Sequence, residues 1–207
     1  SESKIEYEDE PDMFTKFGIY DDKFIAKSAR VLIPKLIKNG HHAMLEFGGM
    51  ITVKFICDRG VSHELVRHRL SSFAQESTRY CNYGKDEHIT FIIPCWLNWA
   101  DGVCTKNTYS YINLGHNGHN TWLNAMLNSE EQYNNLIKKG WSPQQARSIL
   151  PNSLKTEINV SANIREWREI FKQRTAKTAH PQMRELMCPL LDKFKSKIPI
   201  LFDDINY

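Results

Sequence analysis

Arg67-His68-Arg69-Leu70-Ser71-Ser72-Phe73-Ala74-Gln75-Glu76-Ser77-Thr78-Arg79-Tyr80 packs three arginines and a histidine, with serine, threonine and glutamine between them, into fourteen positions. Arginine presents a rigid fork of donors that fits phosphate or carboxylate oxygens two at a time. Such a set suits an anionic, planar, polar ligand such as a nucleotide better than it suits a core. The flanks say how the stretch is held. Ile51-Thr52-Val53-Lys54-Phe55-Ile56 alternates as a half-buried strand. Asp58-Arg59-Gly60 turns the chain, and Ser62 is placed to cap a short helix that carries Glu64, Leu65 and Val66 into Arg67. The stretch therefore begins at a helix end and continues as a loop, where a scaffold exposes its binding groups. Beyond it, Ile89-Thr90-Phe91-Ile92-Ile93 reads as a second strand closed by Pro94, and Leu154 to Val160 as a third.

Helices occupy most of the remainder. Residues 22–39 are amphipathic, with Gly40 able to take a left-handed stop and Pro34 inside the run predicting a kink or two shorter helices. Residues 1–12 are acidic and polar and read as a frayed end. Asn113 to Asn120 reads as an exposed loop. Trp122, Leu123, Met126, Leu127, Tyr133, Leu136 and Ile137 form one apolar stripe up to Gly140, which is core. Ser142-Pro143-Gln144-Gln145 is a capping box with proline at the first helical position. A further helix from about Asn163 to Ala179 places Asn163, Trp167, Ile170 and Arg174 on one broad face. After His180-Pro181, a last apolar helix carries Met183 to Phe194. Strands and helices in this order make an α+β domain rather than a regular βαβ series.

The 207 residues suit a single domain, 1–207, without internal repeat or linker. A net charge of +3 is too mild for wholesale nucleic-acid binding, and the bases cluster locally at 67–79 and 165–184. Five cysteines without framework spacing, no C-x-x-C pair and no leader point to reduced thiols in the cytoplasm. Apolar runs are too short for a membrane span.

The chemical alternatives stand beside one another. There is no Walker loop, no G-x-G-x-x-G and no H-E-x-x-H in the sequence. His116 and His119 have a spacing that metals accept, but no acidic or thiol partner adjoins them, and His41 with Glu46 is wrongly spaced for a helix-face pair; no metal is expected. Cys81 lies two residues after Arg79. Cys95 follows Pro94, as the catalytic cysteine follows proline in the cysteine-dependent thymidylate synthases. Either thiol is more simply a buried one. Ser77 lacks a nucleophile elbow and suits a hydrogen bond to a bound anion. A solvated basic loop, or a non-catalytic nucleotide- or RNA-binding module, uses the same arginines.

Arg67-His68-Arg69, seven residues, then Ser77 resembles the signature of the flavin-dependent thymidylate synthases. Gly40-His41 with Glu46, Ala146-Arg147 with Pro151, Asn163-Ile164-Arg165-Glu166-Trp167-Arg168 with Arg174, and Ala179-His180-Pro181 match further blocks of that family in the same order. The resemblance implies methylation of dUMP to dTMP, with methylenetetrahydrofolate giving the carbon, FAD reduced by NADPH giving the hydride, and no enzyme cysteine attacking uracil. It implies mixed helices around a small central antiparallel sheet, in a homotetramer whose active sites are shared between subunits.

By position, the resemblance assigns Arg67, His68 and Arg69 to FAD, with Arg67 also reaching dUMP. Glu64, Gln75, Glu76, Ser77, Thr78 and Arg79 line the dUMP site, Gln75 at its border with the cofactor, and Arg147 joins the phosphate from another subunit. Asn163, Arg165 and Glu169 hold flavin, His41 and Glu46 lie beside it, and His41 reaches toward the folate. Arg174, the catalytic residue, binds the uracil edge and stabilises charge developing on the ring. Three positions depart from the family. Ala43 replaces a hydroxyl residue at the flavin, Ala74 replaces a polar one, and Glu169 stands where Asn or His is frequent and would repel a flavin phosphate. The segment 95–120 matches nothing in the family pattern.

Overall fold

The computed structural model describes residues 4–6, 27–83, 88–97 and 117–207. Its strands are β1 (Lys4–Glu6), β2 (Met50–Asp58), β3 (Ser72–Gln75) and β4 (Lys155–Asn163), which join one sheet in the order β1-β2-β4-β3. Its α-helices are α1 (Lys27–Lys38), α2 (Arg59–Leu65), α3 (Asn117–Lys138), α4 (Pro143–Ala146), α5 (Ile164–Arg174), α6 (Pro181–Lys197) and α7 (Pro199–Phe202). Short 3₁₀ helices occupy His42–Phe47 and Arg147–Ile149. Strands β2 and β4 run antiparallel: Thr52 meets Ser161 through a 2.9 Å hydroxyl bond, while the Arg59 N–H reaches the Leu154 carbonyl at 3.1 Å. The chain is thus mixed helix and strand with a small antiparallel sheet, as its order of elements implied.

The chain divides into two compact units. The first comprises Ser1–Lys4, Phe55–Leu65 and Ala74–Ile158. Its core gathers Ile89, Tyr133, Ala146 and Leu154, flanked by Tyr83, Phe91, Leu136, Ile137 and Leu150. Tyr133 and Leu136 come from the expected stripe of α3. The Ser142 N–H donates to Gln145 Oε1 at 2.9 Å, and Pro143 starts α4, so the capping box is present. Gly140 takes φ 90, the left-handed stop that lets the Trp141 N–H close on the Leu136 carbonyl at 3.0 Å.

The second unit comprises Ile5–Lys54, Val66–Phe73 and Asn159–Tyr207. Trp167, Phe171, Phe194 and Phe202, from α5, α6 and α7, interlock with ring centroids 5.0–5.8 Å apart, mostly edge to face. The Trp167 indole N–H finds the Ile51 carbonyl at 3.0 Å, which ties α5 to β2. Arg168, almost wholly buried, makes a two-pronged bond to Asp204 at 2.7 and 2.6 Å and also donates to the Leu201 carbonyl. At Gly48 a Cβ would stand 2.9 Å from Ile164 Cγ1, so the end of the first 3₁₀ helix needs glycine to lie against α5.

Several local expectations change. The cap of α2 is Asp58, whose Oδ1 accepts from the Val61 N–H at 2.7 Å; Ser62 lies inside the helix and is buried. The central stretch is not loop throughout, because Ser72–Gln75 pairs as β3. Residues 89–93 make only an isolated antiparallel bridge, Phe91 to Leu154, since Pro94 and the turn at 95–97 end the pairing early. Residues 117–120 belong to α3 rather than to a loop, while 113–116 lie outside the described residues. Helix α5 stops at Arg174 rather than Ala179, with Thr175 as its C-cap, whose N–H and hydroxyl both reach the Phe171 carbonyl, at 2.9 and 2.7 Å. Helix α1 runs through exposed Pro34 without a break; residues 22–26 are outside the description. Residues 4–6 pair as edge strand β1 instead of fraying, and the rest of 1–12 is not described.

Candidate active site

The candidate residues sort into two groups, one in each unit. In the first unit, β3 delivers Gln75 so that its amide donates to Ser62 Oγ at 2.9 Å and Thr156 Oγ1 at 3.2 Å. The chain then leaves the sheet: the Glu76 N–H pairs with the Glu157 carbonyl at 2.9 Å, and the Ser77 carbonyl accepts from Tyr80 and Cys81 to make a turn. Glu76 has Lys155 Nζ at 3.8 Å, and that ammonium also pairs with Glu157. Buried Thr78 anchors the turn by accepting from Arg147 Nη1 at 3.0 Å, so this chain's own Arg147 stands at the turn. Ser77 is exposed, and its Oγ accepts from the Arg79 N–H at 3.4 Å. The Arg79 guanidinium lies over the Tyr80 ring, 5.5 Å from its centroid. The turn therefore presents two exposed arginines and an exposed hydroxyl, a donor set for a phosphate. Glu64, half-buried, stands near the end of α2.

In the second unit, Arg67 and Arg69 point to solvent while His68 turns inward, 6% exposed. His68 Nε2 accepts from Arg174 Nε at 2.9 Å, and Nδ1 lies 3.8 Å from Glu166 Oε1. Burial, and then the Arg174 charge, push the imidazole pKa down to about 4, so the ring is neutral at pH 7. Burial and the neighbouring Glu169 push the Glu166 carboxyl up, against the pull of Arg165. Asn163 caps α5, its Oδ1 accepting from the Glu166 N–H at 2.9 Å.

The remaining candidates of this unit lie on its surface. The end of α1 at Gly40, φ 73, lets the His41 N–H reach the Leu36 carbonyl at 2.9 Å and sets His41 at the head of the first 3₁₀ helix. Ala43 and Glu46 are exposed along that helix. Glu46 pairs with Arg165, and Glu169 pairs with Lys172 at 2.9 Å. The sequence reading passed over Glu166, Lys172, Lys155 and Thr156. The signal for Glu166 was present as Asn163-x-x-Glu166, a helix-start spacing; nothing marks the others, which are defined by partners across strands or along a helix.

No group of three or more His, Cys, Asp or Glu is arranged to hold a metal among the described residues, and His116 lies outside them. The two candidate thiols are not the buried ones expected: Cys81 is half-buried and Cys95 exposed. Burial raises the thiol pKa values of Cys57, to about 12, and of Cys81 and Cys188.

The sequence model described as thymidylate synthase complementing protein matches residues 3–200. The chain belongs to that family. Relatives named flavin-dependent thymidylate synthase include one from Corynebacterium aurimucosum, 31% identical over 180 residues, which are 86% of this chain and 71% of the relative. Another, from Corynebacterium efficiens, is 32% identical over 83% of this chain and 67% of its own length. One from Pyrococcus abyssi is 26% identical over 85% of this chain and 66% of its own. Membership of the thymidylate synthase complementing family spans both units, so both residue groups fall inside the matched region.

Proposed function

We propose that this chain is a flavin-dependent thymidylate synthase, a methyltransferase that makes dTMP from dUMP. Its carbon comes from methylenetetrahydrofolate and its reducing equivalents from NADPH through FAD. The carrying observation is the pairing of charges in the unit that bears the outward arginines. Arg67 and Arg69 face solvent, while the two carboxylates of the same unit assigned to the flavin each meet a cation, Glu46 with Arg165 and Glu169 with Lys172. That donor set fits a diphosphate-bearing cofactor, because the residues that would repel it are neutralised in place. His41, Glu46, Arg67, Arg69, Asn163, Arg165 and Glu169 would hold FAD, which when bound supplies the hydride.

The protein's own groups have separable tasks. Ser77, Arg79 and Arg147 bind the dUMP phosphate, with Thr78 holding Arg147; Glu64, Gln75 and Glu76 line the nucleotide. Arg174 faces the uracil edge and stabilises negative charge on the ring. Ser77 positions and does not attack. The raised thiol pKa of Cys81 argues against that candidate as a nucleophile, and exposed Cys95 is dispensable in this proposal. A homotetramer in the cytoplasm is part of this proposal. Exposed Val31, Leu32, Met44, Phe47 and Met50 supply apolar surface suited to subunit contacts. No described helix is long and apolar enough to cross a membrane.

The test is an absorption spectrum after incubation with FAD and desalting, followed by anaerobic NADPH with dUMP present. A retained flavin band that bleaches, with dTMP formed once methylenetetrahydrofolate is added, is the expected result. Absence of any retained band would overturn the proposal in favour of a nucleotide-binding module built on the same arginines.

A further inference from the structure

We propose that Glu166 is a positioning residue that sets the orientation of Arg174 through the imidazole of His68. The inference rests on the reading of Arg174 as the cation that meets the substrate ring. Its geometry stands apart from that reading, entirely within the second unit.

The Nε–H of Arg174 donates to His68 Nε2 at 2.9 Å, so that nitrogen must carry a lone pair. A neutral imidazole then has its proton on Nδ1. The Nδ1 atom looks at Glu166 Oε1 from 3.8 Å, too far for a full hydrogen bond and close enough for the carboxylate to favour a proton there. His68 and Glu166 have side chains only 6% and 9% exposed, so little water competes for either. The neutral state agrees with the depressed basicity of the ring. The identity of the nitrogen that bears the proton is thus set from one side by Glu166 and read out on the other by Arg174.

The helix supplies the spacing. Glu166 is the third residue of α5, and its N–H is fixed by the Asn163 cap at 2.9 Å. Arg174 is the last residue of α5, about 12 Å further along the axis at 1.5 Å per residue. Long helical side chains lean back toward the N-terminus, which brings the Arg174 guanidinium toward the turn that carries His68. A guanidinium is planar. Holding its Nε–H therefore fixes the plane in which its other donors meet a ligand, which a flexible arginine would have to find anew at each encounter. If Glu166 were removed, the proton would be free to move to Nε2. That nitrogen would then confront the Arg174 Nε–H with a donor, and the bond that fixes the plane of the guanidinium would be lost.

The experiment uses the full chain loaded with FAD, with ¹⁵N-labelled histidine and the His68→Gln variant to assign the signal. Two-bond ¹H–¹⁵N spectra at pH 7 should show His68 neutral with its proton on Nδ1. Glu166→Gln, whose amide oxygen still accepts, should keep that tautomer and most of kcat. Glu166→Leu should move the proton to Nε2 or mix the tautomers. It should also lower kcat by about 10- to 100-fold, as expected for a lost hydrogen bond to a charged group, with flavin retained. A wild-type ring protonated on Nε2 overturns the proposal without any variant. So does a Glu166→Leu protein whose tautomer and kcat are unchanged. A Nδ1 tautomer that depends on Glu166, in a protein that binds flavin and forms no dTMP, supports the linkage and overturns the assigned reaction instead.

Discussion

Arg174 gives its Nε–H to His68 and is also the cation assigned to uracil. Arg174→Ala should therefore abolish dTMP formation and leave FAD bound, measured as retained flavin absorbance beside product assays; joint loss of flavin would place the arginine in the cofactor site. Ser77 is a weaker participant. It is exposed, and its 3.4 Å contact with the Arg79 N–H is the longer kind of hydrogen bond. Ser77→Ala should keep measurable activity with a raised KM for dUMP. His68 also links stability to pH. Its folded pKa lies below the ordinary 6.5, near 4, so the unfolded chain binds its proton first as pH falls. The stability that neutral His68 confers is complete above about pH 6.5 and is lost progressively toward pH 4. Glu166 works the other way, since its raised pKa favours the folded state as pH drops. The urea midpoint of wild type should fall from pH 7 to pH 4.5 by more than that of His68→Gln.

At the scale of elements, the fold depends on where helices begin and end. Asn163 starts α5, and its cap also fixes the backbone of Glu166. Asn163→Ala should cost roughly 1 kcal/mol of stability in chemical denaturation. What was legible in the sequence followed local rules. Gly40 and Gly140 marked stops because an unbranched left-handed residue is cheap only as glycine, and Ser142-Pro143 marked a start because proline suits the first turn. What was illegible depended on partners distant in sequence. Asp58 and Ser62 were both able to cap α2, and only the folded turn chose Asp58. Residues 89–93 have the composition of a strand, yet they pair only around the Phe91–Leu154 bridge, through Thr90 and Ile92, before Pro94 ends the run. Ser72–Gln75, Ser-Phe-Ala-Gln, is only four residues long and does not alternate in polarity, so its place beside β4 was hidden. The arginines of the site were conspicuous by type. The inward turn of His68 was not, because a histidine flanked by two arginines reads as part of one basic surface.

For the whole molecule, burial in each unit sets stability. Phe202 touches both Phe171 and Phe194 edge to face and is fully buried. Phe202→Ala should destabilise by about 3–5 kcal/mol, seen as a lower denaturation midpoint. The Trp167 indole also makes the second unit visible by light. Trp167 is the only tryptophan among the residues of that unit, is wholly buried, and donates to the Ile51 carbonyl, whereas Trp96 and Trp141 are exposed in the first. With the other four tryptophans replaced by phenylalanine, emission from Trp167 should be blue-shifted and resistant to iodide in the native protein. Its red shift would then time the opening of the packing around α5, separately from events in the first unit, and so turn one packing contact into a fluorescence clock for the half of the chain that carries Arg174.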